Sequence, residues 1–392
     1  MIPLMKNAFL HEEETKKALS EFILQAKRLS MDAKCKEFEI EFARKQCVRH
    51  AVLFNSGGSA NLAMIQSAKN LGLLKYGDKI GFSALTWSTN VMPIIQLGMK
   101  PIAVDCDPST LNSMSTHLLD TLRNHKIRAF FITNVLGFAG DLAKIKQVCE
   151  ENDILLFEDN CESLGSELPE GKTGNFGLAS SFSFFVSHHM STIEGGMAIT
   201  NDDEFAEMLR ITRANGWDRN LTPKQQEKWR KKYNIESEFY SKYTFFDLGF
   251  NLRPTEITGF LGLFQMQFLD ANLKTREENH RRLEKKLQEN PDFVVLNRSH
   301  IKKFSPFAFV VTCKTPELKE KYLARFVEAG IEVRPIIAGN MQNQPFYKKY
   351  VEDIVAVPGA EFLHNNAFYC GNYPELTKED LATIEDCLEK QL

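Results

Sequence analysis

The chain has 392 residues, of which 43% are apolar and 25% charged, and a formal net charge of −3. This length exceeds what one hydrophobic core usually fills, so we expect a globular protein of two domains without a basic face for nucleic acid. No run approaches the roughly 18 apolar residues of a membrane span, and residues 1–17 lack a signal-peptide pattern, so we expect a cytoplasmic protein without a membrane partner.

Helical and strand-like patterns alternate through the first part of the chain. Residues 15–47 have the apolar spacing of one or two amphipathic helices. The elements predicted next are 50–55 (strand), 59–73 (helix), 79–83 (strand), 89–97 (helix), 101–105 and 128–133 (strands), 142–151 (helix) and 154–158 (strand). This alternation predicts an α/β fold with a mostly parallel sheet, in which ligands bind at the carboxyl ends of strands.

The second part begins with two more strands, at 181–185 and 197–200, and a charged excursion over 217–245 that we expect to be solvated. A long helix at 254–289 then leads to strands at 306–311 and 331–334. A Thr-x-x-Asp capping pattern opens a final helix at 377–392. We therefore expect a large domain over 1–250, and a linking helix with a small α/β domain over 251–392.

The eight cysteines are scattered without the close spacing of a zinc or iron–sulfur site. We expect reduced, mostly buried thiols and no bound metal.

Three polar segments follow predicted strands. In the first, Asn55 to Ser59 reads Asn-Ser-Gly-Gly-Ser, which suits a phosphate at a helix start, although Ser and Gly are also ordinary helix-start residues. In the second, Asp159 and Glu162 close a buried strand, where Asp159 could instead be a helix cap. Trp87, after the strand at 79–83, is by itself more typical of a core.

The third segment joins the strands at 181–185 and 197–200. It contains the adjacent His188 and His189, followed by Glu194-Gly195-Gly196. Taken alone, such a pair is typical of a polar loop, because imidazoles have many non-catalytic uses.

Together these segments resemble the sugar aminotransferases that depend on pyridoxal 5′-phosphate (PLP) and have the aspartate aminotransferase-like fold type I. The family pattern runs Ser-Phe, then a lysine that binds PLP covalently, then Glu-Gly-Gly six residues later. Here that position is His188. A histidine there resembles the branch that removes the C3 hydroxyl of nucleotide-linked 4-keto-6-deoxy sugars such as GDP-4-keto-6-deoxy-D-mannose.

The resemblance implies a role for each matching residue. His188 would be catalytic, and Arg253 and Arg334 would bind the carboxylates of L-glutamate. Asn251 would reach the cofactor of a neighbouring subunit, which implies a homodimer with shared active sites. The implied cofactor-binding residues are Ser56, Gly57, Gly58, Ser59, Trp87, Asp159, Glu162, Ser183 and Asn251, and the implied substrate-binding residues are Arg219, Arg253 and Arg334.

The implied reaction uses pyridoxamine 5′-phosphate (PMP) held noncovalently, with L-glutamate regenerating PMP and ammonia released. A related 3-dehydratase carries an iron–sulfur cluster, and the cysteine spacing here argues against that radical route. Two alternatives stay open: an aminotransferase acting on a keto sugar, and a catalytically silent PLP-binding protein. Asn215 stands where the dehydratase branch has histidine, which affects the substrate assignment more than the cofactor.

Overall fold

The computed structural model describes residues 1–390. Two helices and an alternating series of strands and helices form the larger part. In chain order they are α1 (Glu12–Gln25), α2 (Ala33–Gln46), β1 (His50–Phe54), α3 (Gly57–Asn70), β2 (Lys79–Ser83), α4 (Met92–Gln96), β3 (Lys100–Val104), α5 (Ser115–Leu122), β4 (Ala129–Thr133), α6 (Leu142–Glu151), β5 (Leu155–Asp159), β6 (Glu167–Leu168), β7 (Gly171–Lys172), β8 (Ala179–Ser183), β9 (Gly196–Thr200) and α7 (Asp203–Arg213).

The remaining elements follow α7 in the chain and include the long helix α10. They are α8 (Pro223–Lys232), α9 (Glu238–Ser241), α10 (Glu256–Glu289), β10 (Ala308–Thr312), α11 (Pro316–Glu328), β11 (Val333–Pro335), α12 (Pro345–Tyr350), α13 (Pro358–Asn366), β12 (Ala367–Gly371) and α14 (Lys378–Leu388). Within residues 1–390, no helix is long and apolar enough to cross a membrane.

The central sheet has the order β1-β9-β8-β5-β4-β2-β3. Its strands from β8 to β3 run parallel, while β9 is antiparallel to both β1 and β8. Every residue of β4 is buried, as expected for a strand covered by helices on both faces. The predicted mostly parallel α/β architecture is therefore confirmed.

A second, antiparallel sheet of order β10-β12-β11 packs against α10 and α14. The amino terminus joins this region, since Ile2 bridges to Ile331 and is buried in the same core. The division at residue 250 stays a prediction.

Local differences from the predicted elements have physical causes. The helix predicted at 89–97 is a 3₁₀ turn at Ser88–Asn90 followed by α4, which has Pro93 in its first turn. Proline lacks an N–H donor and clashes with the preceding turn, so it is tolerated at a helix start but breaks a helix interior. The predicted cap of the last helix is confirmed: the Thr377 hydroxyl accepts the Asp380 N–H at 3.1 Å. Residues 391 and 392 of that prediction lie outside the described residues.

The charged segment 217–245 is only partly solvated. Its Trp229 is 1% exposed, packs with Leu221 and Phe246, and donates its indole N–H to the Glu207 carboxylate at 2.9 Å. Most residues of α8 are exposed, in keeping with the expected surface excursion, but Trp229 is buried.

Candidate active site

The carboxyl ends of β4, β5 and β8 open into a cavity of about 450 Å³. Their last residues, Thr133, Asp159 and Ser183, all line it. Residues of β10 and β12 form the opposite wall, so the cavity lies between the two sheets. Ligands of open α/β sheets bind at this edge, which makes the cavity the candidate active site.

An anion cradle lies at the start of α3. The Ser56 hydroxyl accepts the Ser59 N–H at 3.0 Å, while Gly57 and Gly58 occupy the first helical positions and line the cavity. A Cβ on Gly57 would lie 2.7 Å from the Ser183 Cβ, and one on Gly58 would lie 2.9 Å from a Thr89 methyl carbon. Glycine is thus required by packing, and the helix start leaves backbone N–H groups for a phosphate.

The Glu194-Gly195-Gly196 motif packs against the loop that forms this cradle. A Cβ on Gly196 would lie 2.2 Å from the Ser56 carbonyl oxygen, and one on Gly195 would lie 2.2 Å from the Thr192 hydroxyl oxygen. The motif therefore lets β9 pass directly against the loop that opens α3.

Asp159 is buried and firmly oriented. Its Oδ2 accepts the side-chain amides of Asn61 and Asn90, each at 2.8 Å, and its Oδ1 accepts the Cys161 N–H at 2.9 Å. These three donors fix the orientation of the carboxylate. Such a group can hold a proton on a heterocyclic nitrogen in the cavity.

Glu162 lines the same cavity and accepts the Leu136 N–H at 2.9 Å. Burial, with a smaller contribution from the Asp159 charge, raises the pKa of Glu162 to about 8. Its carboxyl is therefore mostly protonated at neutral pH and can donate a hydrogen bond.

The two histidines occupy different environments. The ring of His188 lines the cavity and contacts Phe307, whereas His189 is buried, with its Nε2 3.3 Å from the Ser305 carbonyl oxygen. Residues 186–190, which contain both histidines, form a turn followed by a bend. Burial and the nearby Arg276 guanidinium lower the pKa of His188 to about 4.

Two aromatic side chains border the cavity. Trp87 is 55% exposed and Phe185 is 42% exposed, and both line it. Trp87 is thus not the core tryptophan that a lone Trp suggests. A planar ligand could stack on either ring.

Several predicted residues lie outside the cavity wall of this single chain. Asn251 is exposed and accepts the Arg253 Nε–H at 3.0 Å. Arg219 lies over the Trp217 ring, 5.2 Å from its centroid, and Arg334 pairs with Glu332. The predicted site residues that line the cavity are Ser56, Gly57, Gly58, Trp87, Asp159, Glu162, Ser183 and His188, while Ser59, Arg219, Asn251, Arg253 and Arg334 do not line it. The roles of both groups stay predictions.

Three further residues of the site were not predicted from the sequence: Asn61 and Asn90, which orient Asp159, and Tyr369 of β12, which lines the cavity. Burial and the Glu162 charge raise the pKa of Tyr369 to about 12. Their residue types carry no signal of these roles, because the sequence does not reveal which distant residues they approach.

The cavity fits a phosphorylated pyridine, since it combines a phosphate cradle, an aromatic wall and an oriented carboxylate. The fold and this site define a PLP enzyme with the aminotransferase fold. The chain belongs to the DegT/DnrJ/EryC1/StrS aminotransferase family, whose model matches residues 10–389.

The similar proteins include 3-dehydratases. The chain is 32% identical over 355 residues to a GDP-4-keto-6-deoxy-D-mannose 3-dehydratase of Escherichia coli O55:H7, covering 90% of each chain. A variant GDP-4-keto-6-deoxymannose 3-dehydratase with bound GDP-perosamine superposes with a TM-score of 0.90 at 30% identity, covering 99% of this chain and 100% of that one. A structure of such an enzyme with a trapped PLP–glutamate geminal diamine gives a TM-score of 0.91 at 30% identity and the same coverage.

Proposed function

We propose that this chain is a PLP- and PMP-dependent 3-dehydratase of a nucleotide-linked 4-keto-6-deoxy sugar, with GDP-4-keto-6-deoxy-D-mannose as the substrate. The observation that carries the proposal is the imidazole of His188 in the cavity wall, where the family has a lysine. No lysine is among the described residues that line the cavity. The likeness to the 3-dehydratases supports the choice of reaction.

The residues of the cavity would divide the binding of the cofactor. When bound, PLP or PMP supplies an electron sink and carries the amino group of glutamate. Ser56, Gly57 and Gly58 would hold its phosphate, Asp159 would keep its ring nitrogen protonated, and Trp87 would cover its ring. The protonated carboxyl of Glu162 would donate to its ring oxygen.

His188 would transfer the proton. Because its pKa is lowered to about 4, the imidazole is neutral near pH 7. Nδ1 is shielded from solvent, so Nε2 would be the atom that accepts the proton. The resulting imidazolium is a strong acid that readily gives the proton to the departing C3 hydroxide. One side chain would thus serve as base and then as acid.

The partners follow from the same assignment. L-Glutamate would donate the amino group, with Arg253 and Arg334 pairing with its carboxylates and Arg219 with the nucleotide sugar. Asn251, exposed here, would complete the site of a second subunit in a homodimer. We place the enzyme in the cytoplasm. We assign it to dideoxysugar biosynthesis for O-antigen or another surface polysaccharide, and the name of a related lipopolysaccharide biosynthesis protein supports this pathway.

The test is to incubate the protein with PLP, glutamate and GDP-4-keto-6-deoxy-D-mannose, and to identify the products by mass spectrometry together with an ammonia assay. We expect a 3-deoxy-4-keto sugar and stoichiometric ammonia. An amino sugar without ammonia would replace the proposal by an aminotransferase. PLP binding without turnover on GDP-, CDP- or dTDP-linked 4-keto-6-deoxy sugars would indicate a silent binding protein.

A further inference from the structure

His188 separates the candidate active site from a second, small cavity of about 10 Å³. Among the described residues it alone lines both. The other residues that line the small cavity include Asn7 of the amino-terminal segment, Arg276 and Glu375. Its volume is close to that needed for a single water molecule, about 10–15 Å³.

Two polar atoms of residues that line this cavity have no hydrogen-bond partner among the described residues. They are Nδ1 of His188 and Oε2 of Glu375, and both are shielded from solvent. Leaving a buried donor or acceptor unsatisfied costs about 1–3 kcal/mol, more when it is charged. A water between the two atoms would satisfy both.

The charged residues around the cavity, Arg276 and Glu375, also favour an interaction between Glu375 and His188. The Arg276 guanidinium is 1% exposed and donates to neutral oxygens, the carbonyls of Phe307 and Asn372 and the side chain of Asn272. Glu375 is its nearby carboxylate, and Asn7 donates to the Oε1 of Glu375 at 3.3 Å. Oε2, the second carboxylate oxygen of Glu375, can therefore accept a hydrogen bond from a group in the cavity.

We propose that Glu375 is a positioning residue for His188, acting through one water that accepts the Nδ1–H and donates to Oε2 of Glu375. This contact keeps the proton on Nδ1 and leaves the Nε2 lone pair facing the active-site cavity. It also places a negative charge beside the imidazolium that forms when Nε2 takes a proton, offsetting the repulsion from Arg276. The inference rests on the proposed role of His188 in proton transfer.

The direct test is the tautomer of His188 in the cofactor-free protein. Nitrogen-15 NMR of histidine-labelled protein at pH 7.5 distinguishes Nδ1–H from Nε2–H imidazole, and His188→Asn identifies the signal. We expect the Nδ1–H form in the wild-type protein and a loss of its dominance in Glu375→Gln, which removes the charge but keeps the shape. The Nε2–H form in the wild-type protein would overturn the proposal, whatever any variant does.

The second measurement is the rate at which glutamate converts bound PLP to PMP. Hydrogen-bond partners of metal-binding histidines typically contribute 10- to 100-fold. Taking the lower end of that range for His188, we expect Glu375→Gln to react about tenfold more slowly with an unchanged KM for glutamate. Glu375→Asp should recover most of that rate, and Glu379→Gln, on the exposed first turn of α14, should match the wild type. If Glu375→Gln does not fold, Asn7→Ala, which frees only Oε1, should show a smaller change in the same direction.

The outcomes separate this inference from the proposed function. An active wild-type dehydratase whose tautomer and rate are unaffected by Glu375→Gln contradicts the role of Glu375 alone. A wild-type protein without dehydratase activity contradicts the proposed function, and the tautomer measurement still decides whether Glu375 positions His188.

Discussion

Glu162→Gln should change how the stability of the cofactor-free protein depends on pH. In the folded protein the pKa of Glu162 is raised from 4.5 to about 8, because its carboxyl is buried beside Asp159. Between these two values the folded protein keeps the proton and the unfolded chain releases it. Unfolding is therefore increasingly favoured as the pH rises through this window.

The size of the effect follows from proton linkage. Release of one proton on unfolding lowers the free energy of unfolding by about 1.4 kcal/mol per pH unit. Between pH 5.5 and 7.5, with Glu162 of the folded protein already partly deprotonated at the upper end, the wild-type protein should thus lose about 2.5 kcal/mol that Glu162→Gln does not lose. Glutamine resembles the protonated carboxyl in shape and can still accept the Leu136 N–H.

The assay is urea unfolding at pH 5.5, 6.5 and 7.5, at one fixed protein concentration. Glu170→Gln, at an exposed position of the same region, is the control and should follow the wild-type curve. The free energy of unfolding of Glu162→Gln should rise steadily relative to that of the wild-type protein as the pH increases. Parallel curves for the two proteins would refute the assignment of a raised pKa to Glu162.

Three further predictions address the cofactor, the amino donor and the assembly. Borohydride treatment of the PLP-loaded protein, followed by denaturation, should leave no pyridoxyl group on the polypeptide; a stable adduct on an active-site lysine would contradict the noncovalent assignment. Arg253→Ala or Arg334→Ala should raise the glutamate concentration needed to convert bound PLP to PMP, measured by absorbance; unchanged kinetics in both would assign these residues elsewhere. Sedimentation should show a homodimer, and Asn251→Ala should weaken PLP binding; a fully active monomer would rule out shared active sites.

Much of the fold could be predicted because hydrophobic periodicity follows directly from burial. The apolar runs that became β1 to β5 are buried almost throughout, so their patterns are unambiguous. Element boundaries were harder to predict. The strand predicted at 181–185 is β8, two residues earlier, because Phe184 is buried in a loop and periodicity does not distinguish that from a strand.

The candidate site was predictable where motif spacing reflects local geometry. Close neighbours leave no room for a side chain at Gly57, Gly58, Gly195 and Gly196, and the sequence shows this requirement as glycine. The orienting amides of Asn61 and Asn90, and the cavity behind His188, depend on residues far apart in the chain. Spacing carries no information on such contacts, so they became visible only in the structure.

The proposed role of His188 in proton transfer is tested by comparing His188→Asn with His189→Asn in the dehydration of GDP-4-keto-6-deoxy-D-mannose. Only the His188 ring faces the active-site cavity, while His189 is buried against Ser305. Loss of a general base typically lowers the rate about 10²–10⁴-fold, so we expect that loss for His188→Asn with PLP binding retained, and a milder effect for His189→Asn. Dehydration by His188→Asn at nearly the wild-type rate, with His189→Asn inactive but folded, would contradict the account.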